Sequence, residues 1–325
     1  MSNIRQFMER NYRHFNARET LATAKAYCEH IDSGGKMLLT LAGAMSTGEI
    51  GISLARMIRA GKIHAISCTG ANLEEDVFNL MAHESYEIID NWRGLSKEEE
   101  ERLYDRGMNR VTDTCIPEDV MRNLEDLLVE AWQTACKSGV RKFPSEFLFQ
   151  ILKDPGVADQ FQVDTNDSWV LAAMEEGIPV YAPGWEDSTM GNIFTANVMS
   201  KNVDNHLCVK SGTEQFEHLL RWYVDSTTNL RDQSPIGLFQ IGGGIAGDFA
   251  ICAAPCLLQD LRRKVPTWGY FAQITDAVTS YGGYSGAFPE EKISWGKITK
   301  NAPSFSINSD ATLVAPLIFG YVLDD

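Results

Sequence analysis

Two short apolar runs, Met37–Leu41 and Ile63–Cys68, each end in small polar residues and then give way to a helical period. This strand, loop, helix alternation constrains the fold more than any other feature of the chain. The first run leads through Ala42–Gly48 into Ile52–Ala60. The second leads through Thr69–Asn72 into Leu73–Ala82, with Glu74, Glu75 and Asp76 placed where carboxylates suit the positive end of a helix. Consecutive units of this kind predict parallel pairing, because a strand reached by way of a helix re-enters its sheet in the same direction. Runs at Ile178–Ala182, His206–Val209, Gly237–Ile241, Tyr270–Ile274 and Phe305–Ile307 repeat the pattern. The expected fold class is α/β, a doubly wound, mostly parallel Rossmann-like sheet of about seven strands flanked by helices.

No internal repeat, low-complexity segment or Pro/Ser-rich linker divides the 325 residues, so the chain reads as one domain, 1–325, opening with a helical stretch over about residues 1–35. Ser96–Arg106 reads as a solvent-facing helix capped by Ser96. The balance of 29 Lys+Arg against 44 Asp+Glu leaves a net charge of −15. That charge argues against nucleic acid and anionic membrane as partners and favours cationic small molecules. Seven cysteines without a CxxC pair read as reduced thiols, and neither their spacing nor that of the histidines suits a metal. The first residues carry charge throughout, and no uncharged run is long enough to span a bilayer, so a cytoplasmic protein is expected.

Four segments are candidates for chemistry. Gly242–Gly247 satisfies G-x-G-x-x-G between an expected strand and an expected helix, which suits either a dinucleotide or close packing of a helix on the sheet. Thr69–Asp76 is either a helix cap or a small-residue loop whose free N–H groups and acids hold hydroxyls or amines. Asp187–Gly191 has the same two readings. In Tyr281–Ile298, Lys297 lies between Gly296 and Ile298 beside Trp295, a setting that strips water from an amine as imine formation requires. Glu291, six residues before Lys297, is placed to manage protons or hold an ammonium.

The string SGAFPEEKISWGKI, followed by SDATLVAPLI, resembles the catalytic-lysine region of deoxyhypusine synthase. CTGANLEED, EDSTMGN and the GGG segment match that family in the same order, so the resemblance runs from about Arg18 to Phe319. It implies that NAD takes a hydride from an amine carbon of spermidine and that the lysine matching Lys297 attacks the resulting imine, releasing 1,3-diaminopropane. The aminobutylidene group then passes to an acceptor amine and is reduced. The resemblance further implies NAD contacts at Ser46, Thr47, Thr69, Gly70, Ala71, Glu75, Asp187, Gly243, Asp310 and Ala311. Catalysis falls to Lys297 with Glu291 and Trp295. The amine channel would include Glu74, Gly282 and Gly283, with Glu291 and Trp295 also lining it. A homotetramer with active sites shared between subunits is implied as well.

Three positions depart from the protein-modifying members. Asn192 and Tyr284 stand where they have Asp, and Asp248 stands where they have His. These positions are expected to meet the substrate, so the departures imply a different amine or a different register. The leading expectation is NAD-dependent aminobutyl transfer from spermidine or putrescine to a small polyamine, as in a homospermidine synthase. The alternatives are deoxyhypusine formation on a lysine of the hypusine-containing translation factor, and an NAD-binding regulator without catalysis.

Overall fold

The computed structural model describes residues 3–228, 236–279 and 281–324. Strand β1 (Met37–Leu41) is buried at every position, as an apolar run with a parallel neighbour on each side must be. It lies between β2 (Ala65–Cys68) and β7 (Gly237–Ile241) in a parallel six-stranded sheet. The full order is β6 (Val180–Tyr181), β2, β1, β7, β8 (Tyr270–Thr275) and β9 (Ser304–Asn308). Side chains alternate between two cores. Leu39, Leu41, Phe239 and Ile241 pack with Tyr27 and Phe319 from helices Phe15–Asp32 and Ala311–Leu323. Leu38, Leu238 and Phe271 pack with Tyr223 and Ile251 from helices Gly212–Thr228 and Gly244–Ile251. Helices therefore cover both faces, and the chain winds outward from β1 in one direction and from β7 in the other. The fold is the expected doubly wound α/β sheet, and its switch point lies between β1 and β7.

Three local expectations are corrected. His206–Cys208 is a 3-10 turn, and Val209 forms one isolated bridge with Lys142, so the main sheet has six strands. Asn205 accepts the Leu207 N–H at 2.8 Å and the His206 ring packs on Phe194, interactions that hold the segment as a turn. The helix after β2 begins at Gly70, with the Thr69 hydroxyl accepting the Asn72 N–H, so Glu74, Glu75 and Asp76 occupy its second turn instead of its start. Thr69–Asp76 is thus a capped helix end. A separate antiparallel sheet was not foreseen: β3 (Glu87–Ile88), β5 (Thr114–Pro117) and β4 (Met108–Val111), in that order. Ser96 does cap helix Lys97–Asp105, in a reciprocal box with Glu99. Helices Ile4–Asn11 and Phe15–Asp32 open the described chain, and among the described residues no helix is long and apolar enough to cross a membrane.

One row of the main sheet is polar. Tyr181, Ser67, Thr40, Gln240, Gln273 and Ser306 pair in register across all six strands and therefore face the same side. Three of them hold the glycine segment above. Ser67 Oγ donates to the Ala246 carbonyl at 2.8 Å, and Gln240 and Gln273 both donate to the Gly242 carbonyl, at 3.0 and 3.1 Å.

Candidate active site

Lys297 is pinned through its backbone. Its N–H donates to the Lys292 carbonyl at 3.1 Å, and its own carbonyl accepts the Trp268 N–H at 3.1 Å. Gly296 before it has φ +70°, a left-handed turn that only glycine adopts without strain. The side chain is consequently directed inward and 11% exposed. Nζ donates to Asp248 Oδ1 at 3.0 Å and lies 5.4 Å from the Tyr284 ring centroid and 5.9 Å from that of Trp295. Asp248 belongs to helix Gly244–Ile251, so the segment after the glycines supplies the carboxylate. Its half-exposed side chain also receives the Cys252 thiol, Sγ to Oδ1 3.7 Å. Burial pushes that thiol's pKa up.

The glycine segment is a seat for the loop that carries Tyr284. A Cβ on Gly243 would lie 2.1 Å from Ser285 Oγ, and the Gly244 N–H donates to that hydroxyl at 3.2 Å. Gln273 donates to the Ser285 carbonyl at 2.9 Å, and the Tyr284 hydroxyl donates to Gln240 Oε1 at 2.8 Å. The polar row of the sheet therefore fixes the ring against which Lys297 rests.

A residue that sequence reasoning missed completes the cluster. Lys292 is 3% exposed, donates to the Ala287 carbonyl at 3.1 Å, and sits 4.8 Å from the Phe271 ring centroid and 5.1 Å from that of Tyr284. Burial first, and the charge of Lys297 second, bring its pKa down to about 8. The only signal in the sequence was its place in EEKIS, five residues before Lys297.

The other expected site residues fall into a second group at the strand ends around β2 and β6. Both Glu74 oxygens accept backbone N–H groups, from Thr189 at 2.9 Å and Met190 at 2.6 Å, so this carboxylate caps helix Thr189–Met199 together with Ser188. Asp187–Gly191 is accordingly a helix start. A Cβ on Gly70 would meet Ser188 Cβ at 2.7 Å, which locks the two helix ends together. Glu75 accepts the Thr47 N–H at 3.3 Å, and burial raises its pKa to about 7. Ser46 is fully buried: its hydroxyl donates to the Asn72 carbonyl at 2.7 Å and accepts the Trp169 indole N–H at 2.9 Å. Ala71, Glu74, Glu75 and Asn192 line a cavity of about 570 Å³. Exposed Asn192 also donates its amide to the Ser188 carbonyl. Asp310 caps helix Ala311–Leu323 through the Thr312 N–H at 2.8 Å. Asp187, Gly282, Gly283 and Glu291 are exposed, and Trp295 is 68% exposed.

Lys297, Trp295, Asp248 and Tyr284 thus come together directly, with Gly243 joined through Ser285. The carboxylate bonded to Lys297 is Asp248 and not Glu291. A cleft of about 850 Å³ is lined by Asp248, Tyr284 and Cys252, and shares no lining residue with the Glu75 cavity.

The deoxyhypusine synthase family model matches residues 6–322. A deoxyhypusine synthase-like protein of Cyanothece sp. is 29% identical over 291 residues, covering 88% of this chain and 70% of the relative. A protein of Archaeoglobus fulgidus named "Probable deoxyhypusine synthase 1" is 27% identical over 312 residues, covering 95% and 90%. Among solved structures, one from Entamoeba histolytica titled "a putative deoxyhypusine synthase" aligns with TM-score 0.58 and 12% identity, covering 99% of this chain and 94% of that one. The AgrE complex with ornithine and NAD+ aligns with TM-score 0.53 and 10% identity, covering 96% and 34%. At these identities the structural likenesses speak for the fold. A family match that spans both halves of the sheet and the lysine loop alike places this chain in the deoxyhypusine synthase family.

Proposed function

We propose that this chain transfers an aminobutyl group from spermidine or putrescine, through Lys297 and with NAD, to a small polyamine, homospermidine being the product when the acceptor is putrescine. The observation that carries this reading is the Lys297–Asp248 pair, a buried amine 3.0 Å from a carboxylate. An amine must shed a proton before it attacks carbon and recover one as it leaves, and a carboxylate at hydrogen-bond distance serves both steps. The Tyr284 and Trp295 rings exclude water on the lysine's flanks, and the exposed Trp295 face suits a cationic donor chain. Asp248 is engaged by Lys297 and Tyr284 by Gln240, so neither offers a free carboxylate for a second ammonium.

NAD, when bound, supplies the hydride acceptor that turns an amine carbon into an electrophile. The residues present suit such a group at the switch point. Gly43 and Gly244, with φ +67° and +56°, flank it, and a Cβ on either would meet nothing within 4 Å. Thr69, Gly70, Ala71 and Glu75 stand on the β2 side, with Thr47 above Glu75. Gly243 stands on the β7 side, Asp187 follows β6, and Asp310 and Ala311 follow β9. Ser46, spent on Asn72 and Trp169, would act only by holding this wall. The separation of the Lys297 cluster from the Glu75 cavity suits a site completed by a second copy of the chain, and a homotetramer is the assembly expected.

The test is incubation with NAD and spermidine, with and without putrescine, followed by borohydride and mass spectrometry. Wild-type protein is expected to release 1,3-diaminopropane and to carry an aminobutyl adduct on Lys297. Lys297→Ala should form neither while still binding NAD. A wild-type protein that binds NAD but never acquires the adduct with any amine overturns the reading.

A further inference from the structure

The transfer reading gives buried Lys292 no task, although the fold places it beside the amine that does the chemistry. The Lys297 N–H donates to the Lys292 carbonyl at 3.1 Å, so the two residues are tied through their backbones. Their side chains then rest on one ring, with Nζ of Lys292 5.1 Å and Nζ of Lys297 5.4 Å from the Tyr284 centroid. Lys292 is 3% exposed, lies 4.8 Å from the Phe271 centroid and donates to the Ala287 carbonyl at 3.1 Å. Among the described residues no carboxylate is paired with it, and its chain neighbours Glu290 and Glu291 are exposed. Lys292 is enclosed by its own chain, so a second copy that completes the site does not reach it.

A buried ammonium without a counter-charge keeps much of its field. Asp248 and Lys292 therefore act on Lys297 in opposite senses. Asp248, at 3.0 Å, favours the ammonium and stands ready to take its proton, whereas Lys292 opposes a second positive charge beside it. The other titratable groups facing the pair from this chain are the Cys252 thiol and the Tyr284 phenol, whose pKa values burial pushes up, so both are neutral. Resting on the aminobutyl-transfer reading, we propose that Lys292 is a positioning residue whose ammonium repels the proton on Lys297 and so supplies the free amine that attacks carbon at neutral pH. The departing proton passes to Asp248. Lys292 itself loses its charge at about pH 8, so its help is greatest below that pH and fades above it.

The test reads the Lys297 amine directly. The full chain is treated with limiting acetic anhydride from about pH 6 to 10, without NAD or spermidine, and acetylation of Lys297 is followed by peptide mass spectrometry. Lys292→Met should label Lys297 about tenfold more slowly than wild type at pH 7, the size expected for two neighbouring charges in a protein interior. The gap should close above about pH 9, where wild-type Lys292 is itself uncharged. Lys292→Gln keeps a donor for the Ala287 carbonyl but carries no charge, and should show the same gap. Both variants should fold, because a neutral side chain of similar size relieves a buried, unpaired charge. Aminobutyl trapping at pH 7 should fall in parallel with labelling. Equal labelling at pH 7, a gap of one size at every pH, or wild-type behaviour of Lys292→Gln would overturn the inference, since each means that Lys292 only holds the Tyr284 loop. The transfer reading survives any of these if wild-type protein forms the adduct. A gap that closes above about pH 9 in a protein that forms no adduct with any amine overturns the transfer reading and leaves the lysine pair standing.

Discussion

Asp248 is half-exposed, and its carboxylate is the partner of the buried Lys297 amine. Asp248→Asn should lower the melting temperature by a few degrees, because it removes the charge that faces that amine. Trapping of the Lys297 adduct should slow by roughly a hundredfold or more, the loss typical of a missing proton carrier. Two other groups give stability a pH dependence of opposite sign. Glu75 ionises near pH 7 in the fold against 4.5 as a free side chain, so the native state holds the extra proton between those values. Its contribution falls as pH rises through that window, and Glu75→Gln should flatten the melting curve there. Lys292 ionises near pH 8 in the fold against 10.5 when free, so the unfolded chain binds more protons between them and stability rises with pH across that span. Lys292→Met should abolish that rise. Lys297 and Trp295 were legible because SWGK is a specific string, whereas Lys292 was not. In EEKIS it reads as a solvated lysine, and only Phe271 from β8 and Tyr284 from a separate loop make it a buried one.

Local chemistry decided which elements were legible. The capped helix after Ser96 follows from Ser and Glu at capping-box spacing, and Ser96→Ala should cost about 1 kcal/mol in urea unfolding. The strand at His206–Val209 was misread because a short apolar run carries no information about the Asn205 cap or the Phe194 ring that hold it as a turn. The small sheet escaped because β3 is two residues long and β4 is mostly half-buried, leaving little alternation to detect. The glycine segment was legible as a strand-to-helix turn, yet its tightest requirement comes from a residue 42 positions later, Ser285 against Gly243. Gly243→Ala is expected to destabilise the fold by about 1–3 kcal/mol, because the neighbouring atoms include the Ser285 Cα and the backbone must move. Adduct formation should fall with it as Tyr284 is displaced.

At the scale of the whole molecule, the net charge of −15 favours the approach of cationic amines. For such a substrate kcat/KM should fall as salt is raised from about 20 to 200 mM while kcat stays level, the mark of steering and not of chemistry. The parallel, doubly wound architecture was visible in the repeated strand, loop, helix pattern. The pairing order was not, because the return from β6 to β7 across the starting strand depends on packing over long separations. The polar row from Tyr181 to Ser306 has a consequence for how the molecule reaches this fold at all. A strand that paired one residue out of step would turn its glutamine, serine or threonine into the predominantly apolar opposite core, among Leu39, Phe239 and Ile241. Mispaired sheets are thus penalised strand by strand during assembly, and the residues that seat the Tyr284 loop double as an error check on folding.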